Sequence, residues 1–254
     1  MIDRLYDAFV AISCYAIAFS LLESVFSLHG HQKHLRKDLI VDLSYFLLNA
    51  CIGHLLLFAI LSPFTAIFGP LTSLIKPTIT AQPAWLQFIE VMILADFGIY
   101  VGHRLLHTVP CLWKFHAVHH SATELDWASA YRNHPVDHAI LRGSMLLPIL
   151  LVPFSLEVIS AHGVFFGAFS AFLHTNTPFQ WGRLGWLFGS PAFHRWHHSD
   201  LVEACDKNFV VHFPWVDALF GTFYLPKEPS KTTGTDEPVP TSFVQQLLYP
   251  FRRS

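Results

Sequence analysis

Long apolar stretches separated by short polar segments make up most of this sequence. Residues 5–28 and 39–62 are almost wholly apolar, and a third apolar run extends from residue 84 to about residue 100. A helix of about 20 apolar residues is long enough to cross a bilayer. No segment shows the strict alternation of apolar and polar residues that is typical of a half-buried strand. The pattern therefore predicts an all-α protein with membrane-crossing helices.

A fourth apolar stretch, residues 144–172, is interrupted by Pro148, Pro153 and a turn signal at Ser155-Leu-Glu157. Each half is short for a full crossing. The simplest prediction is a helical hairpin that enters the bilayer and returns to the same side, and the alternative is one kinked span. Between the second and third runs, four prolines interrupt residues 63–83, which predicts a loop that lies on or dips into the membrane.

Composition supports a membrane protein. Of the 254 residues, 52% are hydrophobic and 13% are charged, whereas about 25% are charged in a typical soluble domain. The net charge of −2 gives no support to a nucleic-acid partner. The four cysteines form no CxxC pair, so neither a disulfide framework nor a thiolate metal site is expected.

Histidines form three sequence clusters. One pair is spaced i, i+4, and two HxxHH motifs place histidines at i, i+3 and i+4; on a helix these spacings bring the imidazoles to one face. Two copies of HxxHH are not expected by chance, even with 17 histidines in the chain. A lone histidine on an apolar face is usually a core residue, but eight histidines in three clusters do not fit that role. A pH-sensing or solvated histidine surface does not explain why the clusters flank membrane segments. The spacing predicts donors for two metal ions from His103, His107, His116, His119, His120, His194, His197 and His198.

The donor type narrows the choice of metal without fixing it. Imidazole suits zinc, copper, iron and nickel, and iron is the natural choice if the site activates O₂. A zinc protease of the HExxH type needs a glutamate after the first histidine, where this chain has Arg104. Haem would need only two axial histidines. A zinc-dependent membrane hydrolase and a metal-binding membrane protein without redox chemistry stay open as alternatives.

Charge predicts which side of the membrane holds the histidines. If the second and third runs cross and residues 144–172 form a hairpin, the histidine side holds fourteen of the sixteen lysines and arginines. The other side holds only Arg4 and Lys76. Positive charge favours the cytoplasmic side, so the histidine clusters are expected there. A full span at 144–172 would instead separate the second cluster from the third.

The order HxxxH, HxxHH and HxxHH resembles the fatty acid hydroxylase superfamily, also called the sterol desaturase family, and specifically its short bacterial-type members. The resemblance covers roughly residues 90–226. It is carried by the three histidine motifs and by the flanking segments 113–121, 132–137, 174–176, 194–199, 208–209 and 220–224. Thr108 follows the first motif, where the ether-cleaving members carry glutamate, which counts against ether cleavage.

The resemblance implies a non-haem di-iron centre, which zinc can occupy in isolated protein. It implies O₂-dependent hydroxylation, desaturation or oxidative cleavage of a lipid, which could be sterol-like, fatty-acyl or isoprenoid. The chain has no flavin or nucleotide motif, so electrons from NAD(P)H are expected through a separate carrier, a ferredoxin or a cytochrome b5-like protein, with its reductase. By position, the resemblance implies metal ligation by the eight histidines above, by His174 and, as a weaker candidate, by His134, for which a helix-capping or supporting role is the alternative.

Carboxylates near the motifs are candidates to orient the imidazoles. The candidates are the carboxylates of Glu124, Asp126, Asp137 and Asp200 and the amide of Asn208. Asp96 lies inside an apolar run, where a charge indicates either function or a hydrogen-bonded structural role.

The sequence thus predicts an all-α integral membrane protein with about four transmembrane elements and a cytosolic histidine-rich helical cap. Residues 1–83 would form N-terminal transmembrane helices and a membrane-associated loop, residues 84–226 the di-metal domain, and residues 227–254 a mobile tail.

Overall fold

A computed structural model describes residues 2–33, 35–72 and 75–252. Within these ranges the regular secondary structure is helical, as predicted. The eleven α-helices in the described ranges are α1 (Ile2–Val25), α2 (Leu39–Leu48), α3 (His54–Thr72), α4 (Lys76–Thr80), α5 (Ala84–Thr108), α6 (Pro110–His120), α7 (Pro135–Leu150), α8 (Leu156–His174), α9 (Pro191–His197), α10 (Trp215–Leu219) and α11 (Phe243–Leu248).

Among the described residues, three helical segments are long and apolar enough to cross a membrane. They are Leu39–Thr72, which comprises α2, a π-helical turn and α3, then α5, and α8. A shorter apolar segment, Ile12–Val25, lies in α1. Large apolar side chains are exposed on these helices, such as Phe58, whose exposed fraction is 71%. Such surfaces fit lipid as the surrounding solvent.

The predicted loop at residues 63–83 is wrong in its first part, because α3 continues through Pro63 and Pro70 to Thr72. Each proline removes one backbone donor. An apolar helix tolerates this loss, since the helix geometry satisfies the remaining donors and few alternatives exist for backbone groups in lipid.

The predicted turn between two helices is confirmed, because α7 ends at Leu150 and α8 begins at Leu156 after a short turn. The expectation that each half is short for a crossing is wrong for α8, which is long and apolar enough to span a membrane. The depth of the hairpin in the bilayer stays a prediction. Ser155 caps α8, because its hydroxyl accepts a hydrogen bond from the N–H of Val158 at 3.3 Å. The turn is held to α5 by Gln87, whose side-chain oxygen accepts the N–H of Ser155 at 3.1 Å. The chain therefore returns to the end of the bundle from which α7 started.

Helices α5, α7 and α8 form the central bundle, with a core that includes Ile99, Ile149 and Phe166. Helices α5 and α7 approach closely at two glycines. A Cβ atom at Gly98 would lie 2.1 Å from the carbonyl oxygen of Ser144, and one at Gly102 would lie 2.1 Å from the Ser144 hydroxyl. This contact fixes the depth at which α5 presents its first histidines.

Buried ion pairs tie the segment before α2 to the histidine-bearing end of the bundle. Arg36 pairs with Asp42 and, at 2.6 Å, with Asp126. Arg132 pairs with the other oxygen of Asp42 at 2.6 Å and with Asp38 at 3.1 Å. The residues after 226 also contact this end, since the Thr233 hydroxyl donates to a carbonyl at 3.0 Å. The mobility predicted for this tail stays a prediction.

Candidate metal centre

Five histidines from α5, α6 and α9 form a first cluster, in which the candidate ligand atoms lie within 4.8 Å of one another. Its members are His103, His107, His116, His120 and His197. The Nε2 atom of His116 is central, because it lies 3.0 Å from Nε2 of His103 and 3.2 Å from Nε2 of His120.

Four histidines form a second cluster under the same 4.8 Å limit, and all four are buried. Its members are His119, His174, His194 and His198. The Nε2 atom of His174 lies 3.0 Å from that of His194 and 3.3 Å from that of His119. His174 is the last residue of α8, so the hairpin is what brings it to the motifs on α6 and α9.

Helical geometry explains how each HxxHH motif serves both clusters. At about 100° per residue, positions i and i+4 are about 40° apart, whereas i+3 lies about 60° away on the other side. On α6, His116 and His120 therefore face the first cluster and His119 the second. In the third motif the assignment is reversed, because His194 and His198 lie in the second cluster and His197 lies in the first. The clusters adjoin where the rings of His120 and His198 stack with centroids 4.5 Å apart.

Backbone carbonyl oxygens fix the tautomer of four of these histidines. Because a carbonyl can only accept, each Nδ1 must carry the proton and each Nε2 must present a lone pair. The Nδ1–H groups of His103, His119, His174 and His197 donate to the carbonyl oxygens of Phe209, Arg132, Ser170 and Lys207 at 2.6, 3.1, 2.8 and 2.8 Å. The lone pairs therefore converge inside the clusters.

Metal cations fit this arrangement. Two Nε2 lone pairs 3.3 Å apart, as in His119 and His174, cannot form a hydrogen bond when both rings are protonated at Nδ1. Metal–imidazole bonds of about 2.1 Å place adjacent ligand nitrogens of one ion about 3.0–3.4 Å apart. In the described part of the chain, the buried Nε2 atoms of His107 and His197 have no hydrogen-bond partner. A cation in each cluster would satisfy all of these atoms.

Burial keeps the histidines in the protonation state that metal ions need. For the histidines outside the spanning helices, burial and then neighbouring imidazoles lower the pKa well below 6.5. These are His116, His119, His120, His194, His197 and His198. Neutral imidazole is the ligating form, so the site does not need to lose protons before it binds a metal near neutral pH.

Cavities flank the clusters on two sides. A cavity of about 50 Å³ touches His103 and His116 of the first cluster and His119, His174 and His194 of the second. A cavity of about 260 Å³ touches His107, His120 and His197, and three aspartates, Asp200, Asp206 and Asp236, also line it. The smaller cavity is predominantly apolar and extends between α5, α7 and α8.

The sequence model for fatty acid hydroxylases matches residues 88–222, more than half of the chain. The chain belongs to the fatty acid hydroxylase family. The matched residues include every member of both clusters. The resemblance seen in the histidine motifs is therefore confirmed. The family is one of membrane enzymes, which agrees with the apolar helices of this chain.

Curated relatives within this fatty acid hydroxylase superfamily differ in their named activities. The chain is 34% identical over 176 residues to ornithine lipid hydroxylase OlsE of Rhizobium tropici, covering 67% of this chain and 52% of that protein. It is 29% identical over 243 residues to alkylglycerol monooxygenase of Danio rerio, covering 93% and 53%. It is 30% identical over 139 residues to very-long-chain aldehyde decarbonylase GL1-11 of Oryza sativa subsp. indica, covering 54% and 52%.

The chain spans about half the length, or less, of the curated relatives it matches. No solved structure matches this fatty acid hydroxylase chain.

Of the ten histidines expected to bind metal in this fatty acid hydroxylase, the structure brings nine together and leaves His134 apart. His134 caps α7, because its Nδ1 accepts the N–H of Val136 at 3.2 Å. Its Nε2 lies 3.2 Å from the carbonyl oxygen of Leu247. Both ring nitrogens are thus occupied, and the helix-capping alternative describes this residue.

Among the candidate orienting groups, Asp137 alone contacts a clustered imidazole: its Oδ1 lies 2.9 Å from Nδ1 of His116. Asn208 instead clamps backbone, since its amide donates to the carbonyl oxygen of Phe193 at 3.0 Å. Asp126 and Asp200 bind Arg36 and Thr232. Glu124 is exposed.

The sequence did not predict two side-chain pairs, Asp206 with His107 and Asp96 with His212. Asp206 lies 3.3 Å from Nδ1 of His107, and that hydrogen bond lowers the pKa of the Asp206 carboxyl. Asp96 binds His212 through its ring Nδ1 at 2.8 Å and also accepts two backbone N–H groups. This is the hydrogen-bonded structural role that was one alternative for Asp96. Neither pair has a sequence spacing that could have revealed it.

Proposed function

We propose that this protein is a membrane-bound di-iron oxygenase that hydroxylates or desaturates a lipid with O₂ and externally supplied electrons. The observation that carries this proposal is the pair of adjoining clusters of buried, neutral histidines at the end of an apolar helical bundle. Hydroxylation would consume one O₂, two electrons and two protons, convert C–H into C–OH and release one water.

The five-histidine cluster would hold one iron ion and the four-histidine cluster the other. Bound iron would supply the redox chemistry that activates O₂ for attack on an unactivated C–H bond. His134 is left out of the proposed ligand set, because both of its ring nitrogens already have partners.

The chain itself would orient the ligands and exclude water. Backbone carbonyl oxygens and Asp137 hold the outer Nδ1–H groups, so that the inner nitrogens need no reorganisation when metal binds. Eight of the nine clustered histidines are buried and His107 is nearly so. Burial of this kind limits side reactions of activated oxygen with bulk water.

Lipid would reach the site from the bilayer, and electrons would reach it from the aqueous side. An apolar groove of about 340 Å³ runs between α3, α7 and α8 and includes Leu57 and Met145 in its walls. The cavity beside His107 shares no lining residue with this groove, and Asp200, Asp206 and Asp236 line it. We propose a ferredoxin or cytochrome b5-like carrier with its NAD(P)H-dependent reductase, acting on the cytoplasmic face that the charge distribution favours.

The test compares lipid extracts of aerobically grown cells that carry the protein with extracts of cells that carry a His116→Ala, His194→Ala double variant. A lipid heavier by one oxygen, or lighter by two hydrogens, is expected only with the unaltered chain. For hydroxylation, growth under ¹⁸O₂ should place the heavy isotope in the product. An unchanged lipidome with iron-loaded protein present would contradict the proposal. Lipid turnover by a zinc-only sample without O₂ would favour a hydrolase instead.

A further inference from the structure

Five residues line both the small cavity beside the histidines and the large apolar groove, and this shared lining is here called the neck. The neck consists of Ala130, Asn133, His138, Arg142 and Ser170, each of which lines both spaces. Four of these five residues are polar, although the groove beyond them is predominantly apolar. A lipid that reached the clusters from the groove would pass these five residues.

Arg142 is the charged residue of the neck. Its guanidinium carbon lies 4.2 Å from the centroid of the Phe166 ring. Among the residues that the structure describes, none offers a carboxylate within ion-pair distance of Arg142. Of the three most buried arginines in the described ranges, Arg36 and Arg132 each contact two aspartates, whereas Arg195 donates to the carbonyl oxygen of Thr175 at 3.4 Å. Arg142 differs from all three because it lines both the small cavity and the groove. A guanidinium in low-dielectric surroundings is costly without a counter-charge, and such residues commonly mark a substrate path.

The neck lies close to the proposed metal ligands. The carbonyl oxygen of Ser170 accepts the Nδ1–H of His174 at 2.8 Å, so one neck residue directly orients a clustered imidazole. The cavity between Arg142 and the histidines has a volume of only about 50 Å³, which is space for only a few non-hydrogen atoms. A group bound to Arg142 would therefore be separated from the clusters by a few bonds.

Building on the proposed function, we propose that Arg142 binds the anionic group of the lipid substrate, so that the oxidised carbon lies within a few bonds of that group. A guanidinium recognises carboxylate and phosphate oxygens through paired N–H donors. The acyl chain would lie back in the 340 Å³ groove between α3, α7 and α8. The lipid would thus be oxidised near its headgroup, and the middle and the end of its chain would stay outside the small cavity.

Binding can be tested without turnover. Iron-loaded protein in a non-ionic detergent would be titrated with dodecanoate, dodecyl phosphate and uncharged dodecanol, and its thermal stabilisation would be measured. The unaltered chain should bind at least one anionic probe about tenfold or more tightly than dodecanol. Arg142→Gln should abolish this preference and Arg142→Lys should retain part of it. Arg183→Gln removes a positive charge from the exposed 3₁₀ turn at Gly182–Leu184 and should leave the preference unchanged.

The anion that binds more tightly identifies carboxylate or phosphate as the recognised group. Equal binding of anionic and uncharged probes by the unaltered chain would overturn the proposal, as would a preference that survives in Arg142→Gln. If Arg142→Gln misfolds, Arg142→Lys still tests the proposal, because it keeps the charge and should retain only part of the preference for anionic probes. If no lipid is oxidised at all, the proposed function fails, whereas the probe titrations still decide the role of Arg142.

The position of oxidation gives a second test. Fragmentation mass spectrometry of the product lipid should place the new hydroxyl or double bond within a few bonds of a carboxylate or phosphate. A product oxidised at mid-chain or at the chain terminus, or a product without an acidic group, would overturn the proposal.

Discussion

His116 and Asp137 form a fully buried pair, in which the imidazole Nδ1 lies 2.9 Å from the carboxylate Oδ1 and neither side chain is exposed to solvent. His116 contributes the central nitrogen of the first cluster. A carboxylate behind a ligating imidazole fixes the ring and raises its basicity. The pair therefore connects α7 to the metal centre that the clusters are proposed to form.

Asp137→Asn should weaken iron binding by about 10–100-fold, since it replaces the carboxyl group that contacts Nδ1 of His116 with an amide and keeps the side-chain volume. Competition with a chelator, followed by iron quantification, measures the change. Glu124→Gln is the matched control, because Glu124 was a candidate for the same role and is exposed. Equal iron affinity in both variants would show that the carboxylate does not tune this site.

His134 and His174 should respond oppositely to the same substitution. His174→Asn should lower the iron content from about two ions to about one per chain, because the four-histidine cluster loses a central nitrogen. His134→Asn should keep full iron content, since asparagine is also a good N-cap residue. Iron analysis of both purified variants checks this. Iron loss in His134→Asn with unchanged thermal stability would return His134 to the ligand set.

Gly98→Ala should destabilise the protein by about 1–3 kcal/mol, the typical range for overpacking. The new methyl group would lie 2.1 Å from a backbone oxygen of α7, which cannot move away as a flexible side chain can. Gly69→Ala in α3 is the control, because its Cβ would meet nothing within 4 Å. Thermal unfolding in one detergent compares the two. Similar unfolding temperatures would mean that α5 and α7 are not packed this closely.

The metal-free protein should lose stability as the pH falls below about 6.5. Burial lowers the folded-state pKa of six clustered histidines below 6.5. The unfolded chain therefore binds more protons than the folded chain as the pH falls. Stability is therefore present above the unfolded pKa and lost below it, by about 1.4 kcal/mol per pH unit for each such histidine. Unfolding temperatures between pH 8 and pH 5 measure this slope, and His197→Gln should reduce it. Buried Asp217, whose pKa burial raises to about 6, has the opposite effect, so the comparison of the two chains is the deciding measurement. An equal slope in the unaltered chain and in His197→Gln would contradict burial of a neutral imidazole at this position.

The proposed orientation can be tested with the four exposed cysteines. In single-cysteine variants expressed in bacterial cells, Cys111 and Cys205 should react with a membrane-impermeant maleimide only after the membrane is opened. Cys51 should stay protected, because it lies within the apolar Leu39–Thr72 segment. Reaction of Cys111 and Cys205 in intact cells would place the histidine end on the outer side.

The sequence predicted the helical class, the membrane-crossing runs and the hairpin at residues 144–172, because apolar length and proline position act locally along the chain. It failed at Pro63, where local rules end a helix and an apolar environment allows α3 to continue to Thr72. Histidine spacing likewise identified eight of the nine clustered residues, since i, i+3 and i+4 neighbours share a helix face whatever the rest of the fold does.

Tertiary structure decided which helices contribute to each cluster. Helical rotation of about 100° per residue turns His119 away from its neighbours on α6, but only packing across the bundle brings it to His174 and His194. The contacts of Asp206 with His107 and of Asp137 with His116 likewise join residues from different elements. The sequence thus determined the donors and the membrane helices that carry them. The packing of α5 against α7 and the return of α8 decided which histidines meet and which residues orient them. The same packing leaves Arg142 without a carboxylate partner among the described residues. Such contacts depend on distances across the bundle, which no local sequence pattern encodes.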